Sequence, residues 1–160
     1  MNTELLYQAT AFIWQEADLL DHAEYADWLK LWTADGLYVI PIDPKATNFE
    51  DTLNYAYDDA AMRGKRVDRL VGGESISTTP APRTVRSVSR VRVLGEEDGI
   101  IHVRCAQDLH EFRKTTSRQH AADVSFELVR DAQAGSFFIR RKIIRLLNST
   151  DVLTSVGFIL

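Results

Sequence analysis

Four long runs between residues 84 and 147 constrain this chain most. They cover 84–95, 100–113, 118–130 and 136–147, each reading as an extended strand. Short turn signals separate them: GEEDG (95–99), TTS (115–117) and DAQAGS (131–136). The pattern is that of an antiparallel meander. Helical spacing is confined to the residues before it. In 3–20, Leu6, Ala9, Ile13, Ala17 and Leu20 recur at intervals of three or four. After a break near Asp21–His22, AEYADWLKLW predicts a second helix with Tyr25, Trp28, Leu29 and Trp32 on its apolar side, ended by Ala34–Gly36.

LYVIPI (Leu37–Ile42) predicts a strand, residues 43–54 a polar loop, and about Asp58 to Val71 a third helix closed by Gly72–Gly73. Helices first and strands after them imply an α+β fold, with three N-terminal helices packed on one face of a strongly curved, mostly antiparallel sheet. A single domain spanning residues 1–160 is expected, since 45% hydrophobic and 26% charged residues are enough for one sizeable core.

Charge is unevenly spread. Residues 1–59 hold 12 acidic side chains against Lys30 and Lys45, whereas 63–92 hold eight basic ones against Asp68 and Glu74. The total is −4, which argues against a nucleic-acid-binding domain. No apolar run approaches the roughly 18 residues that span a bilayer. The opening stretch MNTELLYQATAFIWQEADLL lacks a basic start and a small-residue cleavage site. With Cys105 the only cysteine, an internal disulfide is excluded and a cytoplasmic location is expected.

Metal-binding spacings are missing: there is no His-x-His, no Cys-x-x-Cys and no paired Cys and His at zinc or iron–sulfur spacing. DLLDH (Asp18–His22) reads as a surface helix end, and VGGES (Val71–Ser75) lacks the lysine and glycine spacing of a phosphate loop. Acid–base chemistry has better candidates. His102, Asp108 and His110 share one parity of a strand, and a turn at TTS would bring His110, Phe112 and His120 onto one face. Tyr38 or Tyr57 would then donate a hydrogen bond. The plainer reading, polar members of a sheet face meeting solvent or another subunit, is favoured. Cys105 reads as a small buried hydrophobe.

PAPRTVRSVSRVRV (Pro80–Val93) places arginines in a strand. Strict alternation puts Arg86, Arg90 and Arg92 on one side with Thr84 and Val88. Sheets that hold single-stranded nucleic acid use stacking aromatics, and 83–94 has none. Arg83, Arg86, Arg90 and Arg92 are therefore candidate interface residues, because the planar guanidinium suits bidentate contacts to carboxylates.

Three stretches taken in order resemble a known family. They are EADLLDHAEYADWLKLWTADGLYVIPI (Glu16–Ile42), RVDRLVGGESISTTPAPRTVRSVSRVRV (Arg66–Val93) and FFIRRKIIRLL (Phe137–Leu147) with the apolar tail VGFIL. Together they are similar to the small (beta) subunit of bacterial aromatic-ring-hydroxylating dioxygenases, of the NTF2-like (cystatin-like) superfamily. The chain departs from that pattern at Ile76, Pro82, Arg86 and Arg90, where the family usually has Trp, Ser, His and Asn. The resemblance implies a cone-shaped α+β fold and a mainly structural role, with some influence on substrate preference. It also implies that this chain holds no cofactor. The Rieske iron–sulfur cluster and the mononuclear iron would belong to a large (alpha) subunit, in a trimer of heterodimers that takes electrons from NAD(P)H through a reductase. The rival reading is a stand-alone NTF2-like dehydratase or isomerase with a His–Asp pair in the cone.

Overall fold

The computed structural model describes residues 1–72, 82–150 and 158–160. Helix α1 (Thr3–Asp21) starts at Asn2, whose side-chain oxygen accepts the Leu5 N–H at 3.0 Å. Its buried face is Leu5, Ala9, Phe12, Ile13, Glu16, Ala17, Leu19 and Leu20. Leu6, expected on that stripe, is only half-buried. Helix α2 (Tyr25–Leu29) is shorter than the periodicity predicts, and Trp32 opens strand β1 (Trp32–Pro41) instead of closing a helix. Burial decides this: Trp28, Trp32 and Tyr38 meet edge to face, with centroids 5.4 to 6.4 Å apart.

Ala34–Gly36 has turn chemistry, but it forms a bulge inside β1. The partners advance from Ile139 to Arg141 while β1 advances from Trp32 to Leu37. At Gly36 a Cβ would lie 2.9 Å from Trp32 and 3.1 Å from the Ile139 carbonyl, so only glycine fits. The Arg63 guanidinium sits 4.2 Å from the Trp32 ring centroid and donates to the Gly36 carbonyl. The polar stretch after β1 leads to a short strand that periodicity did not reveal, β2 (Asn54–Asp58), antiparallel to β1. Helix α3 (Ala60–Gly72) follows, with the Asp59 carboxylate accepting the Met62 N–H at 2.9 Å. The expected helix end at Gly73, the segment around Ile76, and Pro80–Ala81 lie outside the described residues.

The meander is present as β3 (Arg83–Glu97), β4 (Ile100–Arg113), β5 (Thr116–Asp131) and β6 (Ser136–Leu146). The sheet order is β2-β1-β6-β5-β4-β3, antiparallel except where β1 runs beside β6. Helix α1 packs on both β6 and the edge strand β3. Two strands lie between those, so the sheet must curl around the helix. The inner face and α1 enclose one core, while Val39, Ala46, Phe49 and Ile143 form a small second cluster. Phe158, Ile159 and Leu160 are 5%, 1% and 1% exposed within the main core.

Candidate functional site

The β4–β5 turn decides which candidates meet. Its two residues are Lys114 and Thr115, both at positive φ, as a tight twisted hairpin requires, although neither is Gly or Asn. The TTS expectation is thus displaced towards the N-terminus, and Arg113 pairs with Thr116. His120 therefore opposes Leu109, not His110. In a structure of period two, a slip of one position moves every side chain to the other face. His102, Asp108 and His110 lie on the outer face, and His120 points inward.

Asp108 and His110 are 3.4 Å apart but 40% and 60% exposed, and the Gln119 amide donates to both Asp108 oxygens at 2.8 Å. Tyr57 is on the exposed side of β2. Tyr38 is fully buried, its hydroxyl pushed up to about 12 by burial, and it accepts the Leu160 N–H at 2.9 Å. The six acid–base candidates do not converge.

What the inner face does assemble was not legible in advance. His120 Nε2 lies 3.0 Å from Glu111, and Arg118 donates to the other Glu111 oxygen at 2.9 Å. Burial acts to raise the Glu111 carboxyl, but the bonds from Arg118 and His120 hold it below its ordinary value. Deeper in, Lys142 and Glu16 form a wholly buried pair at 2.8 Å, and Trp28 Nε1 donates to the same Glu16 oxygen at 2.9 Å. Burial lowers the Lys142 ammonium despite the Glu16 charge. The one available signal was Glu16 sitting among the apolar residues of α1. Cys105 is buried beside this pair, and burial pushes its thiol up to about 12.

Strict alternation fails on β3. Arg90 has φ +52° and sits in a bulge between Ser89 and Arg92, which gives β3 one residue more than β4. Before the bulge, Thr84, Arg86 and Val88 face inward; after it, Val91 and Val93 do, and Arg90 and Arg92 are exposed. The three guanidinium groups thus do not share a face.

Arg86 is the correction that matters. Only 2% of its side chain is exposed, and its guanidinium donates to Asp21, to Thr84 Oγ1 at 3.1 Å and to the Ile159 carbonyl. Asp21 also accepts the Arg86 N–H at 2.8 Å and the Thr84 hydroxyl at 2.9 Å. The DLLDH segment is therefore more than a surface helix end, because it ties α1 to β3. Arg83 remains on the outer face, 5.2 Å over the Phe112 ring. Val85 and Phe112 beside it are 63% and 40% exposed, and Leu94, towards the other end of β3, is 52% exposed.

Among the described residues, no three His, Cys, Asp or Glu side chains gather as a metal site, and no helix is long and apolar enough to cross a membrane. Comparison with known proteins gives the family. A family model described as "Ring hydroxylating beta subunit" matches residues 15–152. The small oxygenase component of the p-cumate 2,3-dioxygenase system of Pseudomonas putida is 31% identical over 120 residues, which are 74% of this chain and 67% of that one. The beta subunit of benzoate 1,2-dioxygenase from Burkholderia mallei superposes with a TM-score of 0.74 at 22% identity, covering 94% of this chain and 95% of that one. An NTF2-like protein with a cystatin-like fold from Novosphingobium aromaticivorans superposes at 0.61 with 15% identity, over 91% and 86%. The fold is thus the NTF2-like cone, and the chain belongs to the family of ring-hydroxylating dioxygenase beta subunits.

Proposed function

We propose that this chain is the structural, non-catalytic small subunit of a Rieske-type aromatic-ring-hydroxylating dioxygenase, working in the cytoplasm. In that role it supports a large subunit carrying the Rieske cluster and the mononuclear iron, within a trimer of heterodimers. Oxygen is added to the aromatic ring in the large subunit, and this chain has some influence on substrate preference.

One observation carries the reading: the inner face of the cone is committed to internal partners. Glu111 engages His120 and Arg118, Glu16 engages Lys142, Asp21 engages Arg86, and Tyr38 holds Leu160. A cone enzyme needs polar groups aimed at free space there. The outer face instead offers arginines beside exposed apolar side chains, the composition favoured at subunit interfaces.

The interface assignment accordingly passes to Arg83, Arg90 and Arg92. Replacing all three by Ala should reduce recovery of the large subunit with the tagged chain by about tenfold or more, with circular dichroism unchanged. Unchanged recovery would move the interface off this strand.

A further inference from the structure

Residues 158–160 belong to no helix or strand, yet they are among the most buried of the chain. Their backbone groups are met by side chains instead of by a strand ladder. Arg86 from β3 donates to the Ile159 carbonyl, Lys142 from β6 donates to the Leu160 carbonyl at 3.3 Å, and Tyr38 from β1 accepts the Leu160 N–H at 2.9 Å. The Phe158 ring meets His120 of β5 edge to face at 5.8 Å. Recognition of an extended main chain by side chains, with pockets for its apolar residues, is how a groove binds a peptide.

Three of the groups that do this also hold partners outside residues 158–160. Arg86 is held by Asp21 and Thr84, Lys142 by Glu16, and His120 by Glu111. Preorganised polar groups lose little entropy on binding. Arg86 and Lys142 each keep a carboxylate partner of their own, Asp21 and Glu16. A cleft of about 190 Å³ borders the same place, lined among others by Leu20, Tyr25, Leu70, Arg86, Phe158 and Ile159. It gives an approach from solvent. Among the described residues, the buried Nε of Arg86 has no hydrogen-bond partner there.

We infer that the inner face of the cone is a binding site for a short apolar peptide, which this chain fills with its own Phe158–Leu160, and that the vacated site takes such a peptide in trans. The inference does not depend on which large subunit the chain joins.

The test uses the chain lacking Phe158–Leu160 and the capped peptide acetyl-Phe-Ile-Leu-amide. Its thermal midpoint should rise saturably with the peptide and stay put with acetyl-Ser-Gly-Ser-amide. The chain that retains Phe158–Leu160, its site filled, should not respond. Tyr38→Phe in the shortened chain should weaken peptide binding about 2- to 10-fold, the effect of one hydrogen bond. If the shortened chain does not fold alone, the peptide added during refolding should restore native circular dichroism. The inference is overturned by a folded shortened chain that ignores the peptide, by an equal response from the chain that retains Phe158–Leu160, or by failure of the peptide to rescue folding.

Discussion

Lys142 and Glu16 show how much one buried pair can decide. Removing one partner strands a charge in the core, so Lys142→Met alone should cost about 3–5 kcal/mol. Adding Glu16→Gln should recover much of that loss while leaving an acceptor for Trp28 Nε1; urea unfolding of the single and double variants checks this. A chain in which the two costs simply add would show no coupling between the residues. Glu111 makes a pH-dependent prediction. Its carboxyl is held below the ordinary 4.5, so its stabilising contribution is present above that value. It is lost as pH falls from 4.5 through the folded value. Thermal midpoints measured down this range should fall more steeply for the native chain than for Glu111→Gln, and equal slopes would contradict the assignment. Neither pair was legible in the sequence. Glu16 and Lys142 are 126 positions apart, and Glu111 faces His120 only because the hairpin turns at Lys114–Thr115.

At the level of elements, the meander was legible because each of its strands is long and bounded by turn residues, and the observed strands follow those runs closely. Faces were harder to read than strands. A one-position displacement of the β4–β5 turn moved His120 inward, and one extra residue at Arg90 moved Arg90 and Arg92 outward. Bulges leave no periodic trace until the partner strand is known. The ADG segment shows the same limit: its turn chemistry was real, but tertiary packing used it as a bulge inside β1. Gly36→Ala tests that use. The new methyl would press on Trp32 and the Ile139 carbonyl, and overpacking of this kind costs about 1–3 kcal/mol. Denaturant titration should show that loss; an unchanged midpoint would mean the bulge relaxes freely. The short β2 was missed because Tyr55 and Tyr57 face outward and only Ala56 and Asp58 face inward, too few positions to establish a period.

For the molecule as a whole, the ordered set of stretches pointed to the family before any fold was known, and the family model spans almost the same residues. The division between the faces was not visible in that way. Folding turns the inner face into a closed set of ion pairs around the tail, and leaves the outer face with solvated charge and exposed apolar side chains. On the proposed function, a subunit built like this contributes surface and not chemistry. The most direct measurement of that claim is native mass spectrometry, with metal analysis, of the chain expressed with the proposed Rieske-type large subunit and also alone. The account predicts an assembly with equal numbers of the two chains, iron that travels with the large subunit, and no stoichiometric iron in the chain expressed alone. Stoichiometric iron in the isolated chain, or two proteins that never associate, would contradict it.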